Sequence, residues 1–243
     1  MASLILIHGS FHGPWCWSPI TRQLAEAGHD VILADLTTAA PAPSGKPDLM
    51  SYASHVAALI DAASGPVVLI GHSMGGLVAS QAAELRASRV QSIIYIAGLL
   101  LRDGETLNSF ITAHAALGVR DLVLESMQVS ADGEVATFPQ SEAARVFYNS
   151  CSEADAAWAA RQLVPQPTGV YVTPLALTDA AFGRIPRAYI RAARDRAVVP
   201  LYQDAMIERL PCGQVITLDS DHSPFLSMPA ELVKALVTVI ATN

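Results

Sequence analysis

The sequence has little cysteine. Its 243 residues hold three, Cys16, Cys151 and Cys212, an odd number at unrelated spacings, so neither a disulfide framework nor a zinc knuckle is indicated. It is also poor in charge. Charged residues make up 15%, the formal net charge is −7 and no basic run occurs, which argues against nucleic acid and anionic membranes as partners. No stretch approaches the roughly 20 apolar residues of a membrane span. The first apolar run is four residues long and ends in His8-Gly9, with no basic leader before it and no cleavage site after it. A cytoplasmic, reducing compartment is the expectation. What is present is a chain that is 51% hydrophobic, long enough for one α/β domain with an insertion and for a large core without staples. Small-molecule chemistry is left as the field of function.

Short continuous apolar runs at 4–7, 31–35, 66–70 and 90–97 read as buried strands, separated by helical spacing at 19–27, 52–63 and 77–86. Residues 37–48, rich in Pro, Ala, Ser and Gly, read as a surface loop. This alternation predicts a mostly parallel sheet with right-handed crossovers and helices on both faces. From 99 to 183 the rhythm stops. Short helices at 109–116, 142–147 and 155–163 are followed by pieces broken at Pro165, Pro167 and Pro174, a composition shift that suggests a lid inserted after a strand. Regularity returns with strands at 187–192 and 214–218 and helices at 201–208 and 228–241. The expected division is a core of 1–98 and 184–243 with an inserted cap of 99–183.

Within this frame one pentapeptide stands out. Gly71-His72-Ser73-Met74-Gly75 lies between a strand and a helix, the setting of a nucleophile elbow: the chain turns so tightly that a Cβ at either glycine would strike a neighbour, and Ser73 is left strained at the carboxyl edge of the sheet. A serine hydroxyl needs a base, itself oriented by a carboxylate, and in this setting the chain order is Ser, acid, His. Seven histidines compete for the role of base. His29 and His55 read as surface or core residues, His114 as a lid residue, and His8 and His12 as structural members of a glycine loop. His72 sits inside the elbow and should point away from Ser73. His222 remains, on the loop after the last strand. For the acid, Asp195 follows the preceding strand, Asp103 is the alternative, and Asp219 and Asp221 lie too near His222 to reach its far nitrogen. Oxyanion donors are expected in the N–H of Met74 and, from the loop after the first strand, the N–H of Ser10, with Gly9 letting the backbone approach the substrate.

The segments 6–17, 71–76, 149–155, 194–200 and 219–222, in the forms Leu-Ile-His-Gly-Ser-Phe-His-Gly-Pro-Trp-Cys-Trp, Gly-His-Ser-Met-Gly-Gly, Asn-Ser-Cys-Ser-Glu-Ala-Asp, Arg-Asp-Arg-Ala-Val-Val-Pro and Asp-Ser-Asp-His, resemble the plant methylesterase and hydroxynitrile lyase family of α/β-hydrolases. The resemblance runs nearly the length of the chain. It implies an α/β-hydrolase fold, with a six-stranded parallel sheet, helices on both faces and a small inserted cap. It also implies a triad of Ser73, Asp195 and His222. Lyases of the family carry threonine where this chain has Gly9 and lysine where it has Ser223, and that lysine supplies the positive charge that stabilises departing cyanide. The resemblance therefore supports a serine carboxylesterase working through an acyl-enzyme on small, hydrophobic or aromatic methyl or aryl esters. The alternatives are lyase-like activity and a ligand-binding receptor with vestigial turnover. Pocket walls are expected from Phe11, Phe147, Trp158, Leu163, Phe182 and Phe225. No metal or cofactor is implied. The partner is a small-molecule ester, and a homodimer is compatible with the sequence.

Overall fold

A computed structural model describes residues 2–42 and 45–242. Met1 and Asn243, at the ends of the expected core ranges, and Pro43 and Ser44 of the expected loop 37–48 lie outside the described residues. Among the described residues no helix is long and apolar enough to cross a membrane.

The chain begins with β1 (Ser3–Ile7), α1 (Ser18–Glu26), β2 (Asp30–Ala34), α2 (Leu49–Ala62), β3 (Val67–His72), α3 (Gly75–Leu85) and β4 (Val90–Ile96). Every residue of β1 and β3 is buried, which is why these strands read as unbroken apolar runs rather than as alternation: both faces of a parallel sheet are covered by helices. Period-2 geometry then sorts the side chains. Ile5, Ile7, Val67 and Leu69 join the core beneath α2 and α3, while Leu4, Leu6, Val68 and Ile70 join the core of the other face. Helix α2 starts three residues before the expected position because Asp48 and Ser51 form a reciprocal capping box, the Asp48 carboxylate accepting from Ser51 N at 2.8 Å and the Ser51 hydroxyl from Asp48 N at 2.8 Å.

After β4 the chain builds α4 (Leu107–Ala113), α5 (Leu122–Ser126), β5 (Gln128–Val129), β6 (Val135–Thr137), α6 (Gln140–Val146), α7 (Glu153–Ala160), β7 (Gln166–Pro167) and α8 (Gly169–Val172). The three short strands form an antiparallel sheet of their own in the order β5-β6-β7. Two- and three-residue strands leave no periodicity to read, so this small sheet has no counterpart in the expectations above. The chain returns through β8 (Arg187–Ala192), α9 (Pro200–Arg209), β9 (Gln214–Leu218), α10 (Pro224–Ser227) and α11 (Pro229–Thr242).

The main sheet has six strands in the order β2-β1-β3-β4-β8-β9, all parallel. The order reverses direction at β1 and β3. The carboxyl ends of the central strands open together there, the edge at which α/β sheets bind ligands.

Candidate active site

At the end of β3 the backbone of Ser73 has φ 54°, a conformation rare for a non-glycine residue and costing about 1–3 kcal/mol. The turn is enforced by close approach: a Cβ on Gly71 would lie 2.6 Å from the carbonyl oxygen of Gly75, and one on Gly75 would overlap the carbonyl oxygen of Ile7. Ser73 N donates to Ile96 O at 3.2 Å, and Ser73 O accepts from Gly76 N and from Leu99 N, each at 2.9 Å. The strain is thus held by the sheet and by the start of α3.

His222 follows β9. Its Nδ1 donates to Asp195 Oδ2 at 2.8 Å, which leaves Nε2 as the free acceptor of the neutral ring. Asp195 is buried after β8. Its Oδ1 accepts from Ala197 N at 2.7 Å and Val198 N at 3.0 Å, and its Oδ2 from Gln203 Nε2 at 3.3 Å. Burial pushes the Asp195 carboxyl up, while His222 and the backbone donors oppose that shift. Gln203 was not legible in the sequence. Its side chain also bonds both main-chain groups of Ala192 and the carbonyl of Val198, tying α9 to the loop that carries Asp195.

The competing acids are engaged elsewhere. Asp103 caps Leu177 N, Asp219 pairs with Arg194, and Asp221 accepts from Ser150 N, Ser223 N and Ser227 Oγ. Among the histidines, His114 bonds Phe110 O within the inserted segment. His72 turns from Ser73, as expected, and its Nε2 donates to the carbonyl of His222 at 2.8 Å. His8 and His12 hold the loop after β1. His8 Nδ1 donates to Gly9 O at 2.9 Å and its Nε2 accepts from Leu36 N, while His12 Nδ1 donates to Ser10 O at 2.8 Å and its Nε2 accepts from Tyr148 Oη at 2.9 Å. Burial pushes the pKa of His12 down to about 3 and lowers that of His8, so both are neutral rings in a single tautomer.

These bonds orient two donors. In a planar trans peptide the N–H points opposite to the C=O. Fixing Gly9 O by His8 therefore aims the N–H of Ser10, and fixing Ser73 O by Leu99 and Gly76 aims the N–H of Met74. Neither N–H is hydrogen bonded among the described residues. A Cβ on Gly9 would lie 2.7 Å from the Cβ of Ser73, so the two loops can approach this closely only with glycine there.

Ser73, His222, Ser10 and Met74 line one cavity with Phe11 and Phe147. Ser73 Oγ makes no hydrogen bond among the described residues and is open to an incoming ligand. The remaining wall is largely apolar, with Leu99, Leu107, Phe110, Ile111, Val198 and Tyr202 prominent. Four expected wall residues are not there. Trp158 packs edge-on against Trp15 at 5.3 Å, and Leu163 packs on the cluster around Phe11 and Ala156. Phe182 is buried beneath the Arg187 guanidinium, 4.8 Å from its ring centre, and Phe225 lies against Trp17 and His72 on the opposite side of the sheet. Gly9 abuts Ser73 rather than the cavity. Apolar character marked these residues for packing, and it cannot say which of three apolar clusters takes them. Tyr171, whose phenol donates to Ser10 Oγ at 2.8 Å, is a cavity residue that no sequence signal picked out.

A family model described as the alpha/beta hydrolase family matches residues 4–235. Methylesterase 7 of Arabidopsis thaliana is 28% identical over 250 residues, covering 97% of this chain and 95% of the relative. Pheophorbidase of Raphanus sativus is 28% identical, with 98% of this chain and 93% of that protein aligned. Among solved structures, a pyrethroid hydrolase from Sphingobium faniae JZ-2 superposes with a TM-score of 0.84 at 26% identity, covering 98% of this chain and 96% of that one. With a six-stranded parallel sheet, a strained serine at the strand-to-helix turn and likeness of this extent to methylesterases, the chain belongs to the alpha/beta hydrolase family.

Proposed function

We propose that the protein is a carboxylic ester hydrolase in which Ser73 is the nucleophile, His222 the general base and Asp195 the group that orients it. The observation that carries this reading is the buried Asp195–His222 pair, whose imidazole opens on the same cavity as the strained Ser73. Its likeness to proteins named methylesterase and pyrethroid hydrolase supports the class of reaction.

In the mechanism, Ser73 Oγ attacks the ester carbonyl as His222 Nε2 takes its proton. The hydrogen bond that joins serine and base forms when substrate fills the site. The N–H groups of Ser10 and Met74 hold the oxyanion, donors already aimed before charge develops and so requiring no reorganisation. His222 then protonates the leaving alcohol, and water repeats the sequence on the acyl group. Asp195 stays ionised and stabilises the imidazolium. The segment 99–183 serves as a cap whose apolar side chains exclude water. An apolar wall supports a hydrophobic or aromatic acyl group on a small alcohol.

A burst of 4-nitrophenol from 4-nitrophenyl acetate, equal to the enzyme concentration and abolished in Ser73→Ala, tests the reading. Saturable binding with no burst in the wild type overturns it.

A further inference from the structure

The cavity is apolar on most sides, yet two hydroxyls meet beside Ser73. Tyr171 in α8 reaches the loop after β1, and its phenolic O–H donates to Ser10 Oγ at 2.8 Å. Both residues line the cavity. The tyrosine is 8% exposed, and burial pushes its phenol up, so it stays a neutral donor.

A serine hydroxyl has one proton and two lone pairs. With Tyr171 occupying a lone pair, the Ser10 proton has no acceptor among the described residues. That proton remains available to a substrate oxygen in the cavity that Ser10 lines. The backbone N–H of the same residue is the donor assigned above to the oxyanion. The N and Oγ of one serine are separated by only three bonds, and in a gauche rotamer both can reach a single oxygen. Donation from Tyr171 also polarises the Ser10 O–H, which strengthens it as a donor in turn.

We propose that the Ser10 hydroxyl, primed by Tyr171, is a third oxyanion donor, which makes Ser10 a catalytic residue beyond its main chain and Tyr171 a positioning residue. The inference rests on the acyl-enzyme reading of the site. A donor that acts on developing charge lowers kcat when removed and leaves KM in place.

The test compares wild type, Ser10→Ala, Ser10→Thr and Tyr171→Phe with 4-nitrophenyl butyrate and with a trifluoromethyl ketone, a probe that forms a tetrahedral adduct with the serine. Loss of one oxyanion donor typically costs about 10²-fold in kcat, and that is the fall expected for Ser10→Ala, with KM within about twofold and ketone affinity falling in parallel with kcat. Ser10→Thr should recover most of the loss, and Tyr171→Phe should show a smaller fall of about tenfold of the same kind. Should Ser10→Ala fail to fold, Tyr171→Phe alone decides. A kcat within about twofold of wild type in Tyr171→Phe and Ser10→Ala, or a loss that falls on KM while ketone affinity is kept, overturns the inference and leaves the esterase reading standing. A wild type with no burst overturns both.

Discussion

The imidazole of His72 donates through Nε2 to the main-chain carbonyl of His222 at 2.8 Å, with the two ring centres 4.6 Å apart. A carbonyl can only accept, so the tautomer of His72 is set, and its Nδ1 is a buried acceptor without a partner among the described residues. The residue preceding Ser73 thus holds the backbone of His222, the proposed base. Removing a hydrogen bond of this kind costs about 0.5–1.5 kcal/mol and leaves the carbonyl of His222 buried and unpaired. His72→Ala should lower kcat by roughly three- to tenfold with KM little changed, as steady-state kinetics on an aryl ester will show. Unchanged kcat would mean that the loop positions His222 without this bond.

Replacement within the acid–base pair should separate the two roles. Asp195→Asn keeps the shape, yet an amide favours the wrong tautomer of His222, and loss of about 10⁴-fold in kcat is expected. Ser73→Ala should lose the acyl burst altogether. Native near-ultraviolet circular dichroism in both variants would show that the loss is chemical. A modest defect in Asp195→Asn would shift the acid's role to another residue.

Gly9 packs against the Cβ of Ser73, the proposed nucleophile. Since a Cβ at this position would lie 2.7 Å from that of Ser73 and 3.0 Å from His72 Nδ1, Gly9→Ala must push two loops apart, at a cost on the order of 1–3 kcal/mol. Its kcat/KM should fall by more than tenfold, since displacements of about 1 Å near reacting groups have effects of that size. Thermal unfolding monitored beside activity will separate misalignment from simple destabilisation, and full activity in the variant would show that the loops yield freely.

Three buried neutral histidines make the fold sensitive to acid. Burial lowers the pKa of His8, His12 and His72 from the usual 6.5, that of His12 to about 3. The unfolded chain therefore binds more protons than the native one below pH 6.5. Stability is complete above that value and declines as the pH falls toward 3, each histidine contributing a slope of up to about 1.4 kcal/mol per pH unit. Asp195 acts in the opposite sense, since its raised pKa favours the native state at the acid end. Urea midpoints should fall steadily between about pH 7 and pH 5, and His12→Asn should flatten the dependence. A midpoint that holds constant over this range would show that the three rings do not remain neutral.

The sheet was legible because parallel strands buried on both faces leave unbroken apolar runs: the strand expected at 214–218 is β9, Gln214–Leu218, and the other five core strands lie within about two residues of their expected ends. Ser73, Asp195 and His222 were legible as positions at strand ends. What the sequence did not carry is whatever depends on which way the inserted segment packs. Phe182 and Phe225 are as apolar as Phe110 and Phe147, and only the tertiary arrangement decides that the last two face the cavity. Tyr171 matters through one side-chain hydrogen bond and Gln203 through four, from positions unremarkable in their helices, and no local pattern marks such residues.

Strands β4 and β8 are hydrogen-bonded neighbours, although some ninety residues of chain run between them. Because the two strands are parallel, the excursion leaves at the carboxyl end of β4 and re-enters at the amino end of β8, where Arg187 pairs with Ile93 rather than with Ile96, so it is a crossover that must also return along the sheet. A crossover of this length can vary in its middle, but its first residues cannot, since Leu99 N holds the carbonyl of Ser73.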